Sequence, residues 1–493
     1  MSKNIYFSIL IKLADDEQKG VAICIPPETD RLPGDRIKGL TDAARTLPLA
    51  DGERLRTEVL VAPPPGIGTR PIDDYLWGDG SLNSPRLVRH LKDYREGRIP
   101  HNFLPRVGMT VVMAEEFIGR ELVLSALEGL FSKSRSCHLR APRRYGKSSL
   151  MGMLAARQAK AVILELSDIG TLPGFLKTLL RACLRHEAAR SCLHELPAYR
   201  SWPHTTDHAS FSQVFNGAFN ELMKRHEGNK LSTLLCDTMT VLADNGIKLL
   251  IDEFSLFLRD MNDNNVAELK TFLEMFRKLR TRANHPLATV FAGSSGLSTY
   301  IELYDMKALF SDIVPVDVPP VTATEARLLA EELFYGMEKL PTPSALKRLV
   351  ELTGDDETVP YFVQALASYT TEQAGRRRQI HAEDVELAYY DRLLGPSGNV
   401  CFRDFVLRER TYPGAYRSSA SPILKQISRK APGFVAEDEL QRLCKEGCDF
   451  NKLMTCLEED YDLVRTEHGW RMRSRVVADR WRLGEPWLTM GGK

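Results

Sequence analysis

The middle of the chain alternates short apolar runs with stretches of helical periodicity. From about Phe117 onward, apolar runs of strand length are separated by segments whose apolar residues repeat every three or four positions. This alternation is typical of a parallel sheet with crossover helices. It predicts a doubly wound α/β core with five strands, at 136–141, 161–166, 247–252, 287–293 and 312–318.

The pattern changes on both sides of this core. After residue 320 strand-like runs give way to helical periods, which predicts a helical lid over 321–394. Residues 395–493 then show a helix, a short strand, two helices and a hairpin around His468 and Gly469, the order of a winged helix. Residues 1–110 predict a small α+β module without a catalytic motif, either a specificity or partner-binding module or a structural appendage. The core domain is therefore expected over 111–320.

Composition narrows the class of protein. The 493 residues carry 66 Lys and Arg against 65 Asp and Glu, so the net charge of +1 argues against a chain that coats nucleic acid by charge alone, although it allows a local basic patch. The sequence contains no run of about 18 apolar residues without a charge, so it predicts no helix that could span a bilayer. The first residues lack the small-residue cleavage site of a secretory signal. We therefore expect a cytoplasmic protein without a membrane partner.

The strongest motif is APRRYGKSS, between an apolar strand and a helical segment. In this context Gly146 allows backbone amides to close around phosphates, Lys147 reaches the β and γ oxygens, and Ser148 offers a hydroxyl to Mg²⁺. Ala141 stands where the usual motif begins with Gly. The sequence thus predicts a nucleotide-binding phosphate loop made of Ala141, Pro142, Arg143, Arg144, Tyr145, Gly146, Lys147, Ser148 and Ser149.

Two further strand ends supply candidate catalytic groups. Asp252 ends the apolar run KLLID and is expected to hold Mg²⁺, while Glu253 is expected to polarise the attacking water as general base. The alternative for this pair is a solvated strand end. Ser294 and Ser295 follow another strand, where a small polar side chain could sense the γ-phosphate. Plain turn residues are the competing interpretation of these serines.

These motifs together resemble the STAND and archaeal-type ATPase branch of the AAA+ P-loop NTPases. The resemblance rests on FIGRE, APRRYGKSSL, IDEF, the GSS turn and TGDDETVPYFVQAL, and covers the chain from about residue 114. It implies that Gly119 and Arg120 lie near the adenine, that a Gly-x-Pro-like lid element is represented by Gly354 and Pro360, and that a winged helix follows the lid. It also implies ATP and Mg²⁺ as cofactors.

The sequence therefore predicts a slow or regulated ATPase that acts as a molecular switch, binding ATP or ADP together with a protein partner or further copies of itself. A scaffold that holds nucleotide without hydrolysing it is one alternative. A nucleic-acid regulator acting through the winged helix is another, which the acidic candidate recognition helix DFNKLMTCLEED disfavours. A small-molecule kinase is a third. Arg259, Arg277, Arg280 and Arg282 are candidates for an arginine finger.

Overall fold

A computed structural model of the chain describes residues 7–13, 16–25, 55–60, 69–95, 103–106, 117–200, 202, 208–226, 229–293, 297, 300–301, 305–403, 412, 414–461 and 463–483. The chain forms two compact units. The first consists of Met1–Val107, Ala326–Leu352 and Val363–Ser397, and the second of Gly108–Glu325, Thr353–Phe362 and Gly398–Lys493. The domain limits predicted from the sequence stay a prediction.

The strands are β1 (Phe7–Leu13), β2 (Asp16–Ile25), β3 (Leu55–Leu60), β4 (Thr69–Pro71), β5 (Cys137–Arg140), β6 (Ala161–Glu165), β7 (Lys248–Asp252), β8 (Thr289–Phe291), β9 (Val314–Asp317), β10 (Leu340–Pro341), β11 (Gln379–Ile380), β12 (Leu463–Thr466) and β13 (Gly469–Met472).

The α-helices are α1 (Ser84–Arg95), α2 (Glu121–Ser132), α3 (Lys147–Arg157), α4 (Leu172–Arg185), α5 (Glu187–Leu193), α6 (His208–Arg225), α7 (Asn229–Asp244), α8 (Phe254–Asn264), α9 (Val266–Arg280), α10 (Ala323–Gly336), α11 (Pro343–Thr353), α12 (Pro360–Ala374), α13 (Ala382–Leu387), α14 (Gly414–Lys430), α15 (Glu437–Gln441), α16 (Phe450–Tyr461) and α17 (Arg475–Arg482).

The second unit contains a sheet of five parallel strands in the order β6-β7-β8-β5-β9. All five strands predicted from the apolar runs are present, each slightly shorter than predicted, and the α/β fold class is confirmed. Alternate residues of β7 enter different apolar clusters: Leu249 and Ile251 join one, and Leu250 joins the other. This alternation places helices on both faces of the sheet, as a doubly wound fold requires.

The C-terminal part of the second unit has its elements in the predicted order. Helix α14 is followed by an isolated bridge between Val435 and Trp470, by α15 and α16, and by the antiparallel hairpin β12-β13 that turns at His468. Helix α17 follows the hairpin, and Trp481 on it is buried. We call residues 414–483 the C-terminal module. Its interpretation as a winged helix stays a prediction.

The first unit contains a four-stranded sheet of order β3-β1-β2-β4 together with residues 326–352 and 363–394 of the segment that the sequence predicts as a lid. Helix α1 contacts the part of α10 that belongs to this unit through buried ion pairs. Arg86 Nη1 lies 2.7 Å from Glu332 Oε1, and Arg89 Nη2 lies 2.8 Å from Glu331 Oε2. Helices α1 and α10 are therefore joined inside one unit by ion pairs to two buried carboxylates.

Candidate functional site

The phosphate loop joins β5 to α3 in the second unit. Gly146 has φ +80° and caps α3, a backbone conformation that L side chains rarely adopt. Lys147 follows it, is 7% exposed, and donates from Nζ to the carbonyl oxygens of Ala141 at 2.7 Å and Pro142 at 2.8 Å. The loop thus curves around its own lysine, so the ammonium lies inside the arc of loop backbone.

Ser148 and Asp252 meet although 104 positions separate them in the sequence. The Ser148 hydroxyl donates to Asp252 Oδ2, and the backbone amide of Glu253 donates to Asp252 Oδ1 at 2.9 Å. Burial raises the pKa of Asp252 to about 6. The negative charge of Glu253 also raises this pKa, whereas the hydrogen bond from Ser148 lowers it. Two hard oxygen donors therefore converge, and the carboxylate among them is only partly stabilised by its surroundings, which fits a site for Mg²⁺.

Glu253 occupies a strained backbone position directly after Asp252. It has φ +54° and caps α8, whereas left-handed backbone is uncommon for residues other than Gly, Asn and Asp and concentrates at functional sites. Its side chain is partly buried at the carboxyl end of β7. This position beside the Asp252 carboxylate is compatible with the predicted water-activating role.

The strand order explains why these groups lie at one edge. Strand β8 pairs with both β5 and β7, so the strand that leads to Ser294 and Ser295 lies between the loop strand and the Asp252 strand. Carboxyl ends of parallel strands share one edge, the usual ligand-binding edge of open α/β sheets. Ser294 and Ser295 themselves lie outside the described residues, and their sensor role stays a prediction.

Arg120 braces the phosphate loop from the outside. Its Nη1 donates to the Tyr145 carbonyl, and its Nη2 donates to the Pro319 carbonyl at 3.0 Å. Burial lowers the pKa of Arg120 to about 10, although nearby Tyr145 and Glu325 oppose this shift. The residue therefore ties the loop to the segment after β9. The Tyr145 side chain is buried and the Ser149 residue is 5% exposed.

Gly119 has a left-handed backbone and lies close to the Glu325 side chain. A Cβ at this position would lie 2.0 Å from Glu325 Oε1, and φ is +76°. Glu325 also accepts from the amide of Thr322 at 2.8 Å, while the Thr322 hydroxyl accepts from the Glu325 amide at 3.2 Å. This is a capping box at the start of α10. Sequence reasoning missed Glu325, although the T-x-x-E signature before an apolar run could have identified it.

Arg144 extends from the loop to residues that follow α11. Its guanidinium carbon lies 4.4 Å from the centre of the Tyr361 ring, within cation–π range. Tyr361 contacts Phe362 edge to face at 5.7 Å, and Phe362 stacks on Phe402 at 5.5 Å. Arg480 of α17 lies over Phe402 at 5.4 Å. A continuous series of contacts thus runs from the phosphate loop to the C-terminal module.

A second contact joins the same segment to the hairpin. Arg471 on β13 forms a bidentate ion pair with Glu357, with both N–O distances at 2.8 Å. Between the two contacts, Thr358 bridges to Val321. Residues 353–362, which we call the connecting segment, therefore touch the loop at one end and the C-terminal module at the other. The predicted lid residue Pro360 begins α12 within this segment.

The candidate finger arginines all have acidic neighbours within the second unit. Arg280 is buried and pairs with Asp312 at 2.8 Å, and Arg277 approaches the same carboxylate at 4.0 Å. Arg282 pairs with Asp244 at 2.8 Å, and Arg259 with Asp260 at 2.7 Å. Arg280 is thus a structural residue between α9 and the segment before β9. Arg143 is partly buried inside the loop.

The solved structures that match this chain include three with 14% sequence identity. The Walker-type ATPase PABY2304 of Pyrococcus abyssi has 14% identity, covering 76% of this chain and 98% of its own, with a TM-score of 0.49. The ORC2 protein of Aeropyrum pernix has 14% identity, 77% and 94% coverage, and a TM-score of 0.46. The RuvB Holliday junction branch migration motor of Thermotoga maritima has 14% identity, 73% and 94% coverage, and a TM-score of 0.36. No family model and no curated protein matches the chain.

The site's chemistry follows from the groups that it collects. An ammonium beside a helix N-terminus attracts polyphosphate, and a hydroxyl next to a carboxylate suits a hard divalent cation. The carboxylate of Glu253 follows one residue after that of Asp252.

Among the described residues no helix is long and apolar enough to cross a membrane.

Proposed function

We propose that this chain binds and hydrolyses ATP and acts as a molecular switch. The observation that carries the proposal is the meeting of Ser148 with Asp252 beside a loop that encloses Lys147. In phosphoryl transfer the protein contributes position and charge neutralisation. Lys147 would hold phosphate oxygens, and Glu253 would accept the proton of the attacking water. Mg²⁺, held by Ser148 and Asp252, would supply further charge neutralisation when bound.

The test is steady-state ATP hydrolysis by the wild type and by Glu253→Gln. Loss of the general base should lower turnover by about 100-fold or more while nucleotide still binds. Glu274→Gln is the control, because Glu274 is an exposed carboxylate on α9 of the same unit. Wild-type turnover in Glu253→Gln would refute the assigned base. Nucleotide binding without turnover in the wild type would favour a scaffold.

We further propose that the connecting segment transmits the nucleotide state. Phosphate binding gives Arg144 an anionic partner that competes with the Tyr361 ring, and charge-assisted bonds to phosphate are stronger than a partly exposed cation–π contact. Release of Tyr361 would loosen the ring contacts with Phe402 and Arg480. Through this route the state of the loop would determine how the C-terminal module packs, and so which protein partner or further copy binds.

Hydrogen exchange in ADP and in ATP tests this route. In the wild type, amides of β12, β13 and α17 should exchange at different rates in the two nucleotides. Tyr361→Ala should abolish that difference, whereas Tyr361→Phe, which retains the ring face, should preserve it. If the difference in exchange rates between ADP and ATP is unchanged in Tyr361→Ala, the contact of Arg144 with Tyr361 does not transmit the nucleotide state. Light scattering in both nucleotides measures whether assembly changes as well.

A further inference from the structure

Helices α4 and α6 of the second unit carry a regular row of cations over a row of buried rings. Lys177 lies over Phe219 at 5.6 Å, Arg181 over Phe215 at 5.3 Å, and Arg185 over Phe211 at 5.2 Å. The three cations are spaced four residues apart, so they share one face of α4 and span about 12 Å. We call Lys177, Arg181 and Arg185 the cation row.

Among the described residues, carboxylates do not pair with the cation row, although they pair with several other arginines of this unit. Arg157, Arg259 and Arg282 each pair with an acid within 3 Å. In the part of the chain that the structure describes, no ion pair involves any member of the cation row. Buried Nε of Arg181 also lacks a hydrogen-bond partner among those residues. The row therefore presents three unneutralised positive charges in a chain whose net charge is only +1.

The surroundings of the row suit an extended anion. Helix α4 has no acidic residue in LPGFLKTLLRACLR. The adjoining helix α6 has one acid, Glu221, which lies near its end and bonds Lys224 at 2.6 Å. Before it, α6 exposes Gln213 and Asn220, and Asn216 is partly buried with an unpartnered Oδ1 among the described residues. Amides beside cations can hydrogen-bond phosphate and sugar oxygens.

From these observations we propose that the α4–α6 face binds the phosphate backbone of duplex nucleic acid without reading its sequence. Each strand of DNA carries a phosphate every ~3.4 Å of axis, so a cation row of about 12 Å can meet several successive phosphates. The three rings are 5% exposed or less, so they hold the cations in place and are closed to stacking with bases. Binding therefore depends on charge and is independent of sequence.

The acids on helix α16 of the C-terminal module make the α4–α6 face the better candidate. Helix α16 carries Glu458 and Glu459 near its C-terminal end, and such carboxylates repel phosphates. An acidic protein segment is the competing occupant. The regular four-residue spacing favours a repeating polyanion, whose charges recur along its length, over a protein surface with irregular charges.

The test is fluorescence anisotropy of the full chain with a labelled 30-base-pair DNA duplex of arbitrary sequence, at several salt concentrations. The triple variant Lys177→Gln, Arg181→Gln, Arg185→Gln should lose at least tenfold in affinity at low salt. Its slope of log affinity against log salt should fall by about 2.7, since each phosphate contact contributes about 0.9. The matched control is Arg282→Gln, Arg442→Gln, Arg465→Gln, which removes the same charge from cations paired with acids.

Equal losses in the row and control variants, or no binding of duplex by the wild type, would overturn the proposal. Competition by polyglutamate but not by unlabelled duplex would assign the face to an acidic protein instead. If the triple variant fails to fold, Arg185→Gln alone remains decisive, because Arg185 is the exposed member of the row. It should lower the salt slope by about 0.9, and an unchanged slope would refute the assignment.

Discussion

Two sites in this chain each contain a buried carboxylate and a buried cation, and they differ in how completely the carboxylate is neutralised. In the second unit, Lys147 bonds two backbone carbonyls, and Asp252 bonds a hydroxyl and an amide. In the first unit, Glu332 lies 2.7 Å from both Arg86 and Arg89. Asp252 and Glu332 are 6% and 5% exposed, so burial alone does not distinguish them.

The pKa values of the two carboxyl groups move in opposite directions. Burial raises the pKa of Asp252 to about 6. Burial would also raise the pKa of Glu332, but the charges of Arg86, His90 and Arg89 hold it well below its usual range. A neutralised charge thus joins α1 to α10 in the first unit, whereas an incompletely neutralised one stays available to a ligand of opposite charge. The two pKa shifts thus distinguish a structural group of ion pairs from a candidate ligand site without reference to any sequence motif.

The largest expected effect comes from breaking the neutralised group. Glu332→Gln leaves Arg86 buried without its carboxylate, so the free energy of unfolding should fall by about 3–5 kcal/mol. Equilibrium urea unfolding measures it. Glu372→Gln is the control, because Glu372 is half exposed and pairs with Arg392 at 2.7 Å, and its effect should stay within about 1 kcal/mol. Equal effects of the two substitutions would remove the basis of the comparison.

The same acid-to-amide change at Asp252 should raise the free energy of unfolding instead of lowering it. Asp252→Asn removes an unfavourable buried charge, so the protein without nucleotide or metal should become more stable by about 1–3 kcal/mol. ATP hydrolysis should be lost at the same time. Urea unfolding in the presence of a chelator measures the stability, and Asp317→Asn, at an exposed strand end, is the control. A less stable Asp252→Asn would mean that Asp252 is a structural carboxylate.

The sequence allowed prediction of the sheet and of the loop, because both follow from local patterns. The five apolar runs match β5 to β9, and the phosphate loop lies at its predicted place between β5 and α3. The brace from Arg120 to Pro319 and the contact of Arg144 with Tyr361 could not be predicted. Each depends on a side chain that meets a residue about 200 positions away, which no local periodicity encodes.

The neutralised group in the first unit was missed for a related reason. Arg86 and Arg89 lie on helix α1, and charged residues on a helix are ordinarily solvent-exposed. Arg86 is instead buried and Arg89 partly buried beside Glu331 and Glu332, which are adjacent in sequence and both buried on α10. Two consecutive buried acids are uncommon enough that they signal a cationic partner only once the packing of the helix is known.

The smallest expected effect is a pH dependence that separates the two carboxylates. Because the folded pKa of Asp252 is raised to about 6 from 3.8, its ionised form destabilises the protein increasingly as pH rises from about 4 to 6. The gain in stability from Asp252→Asn should therefore shrink by about half, or about 1 kcal/mol, between pH 7 and pH 5.

Glu332 has a lowered pKa, so its stabilisation is complete above the unfolded value of 4.5 and is lost only at lower pH. Since His90 near Glu332 gains positive charge at lower pH, the loss from Glu332→Gln should be at least as large at pH 5 as at pH 7, as urea unfolding at both pH values can measure. A shrinking Glu332→Gln effect over this range would contradict its neutralisation by Arg86 and Arg89.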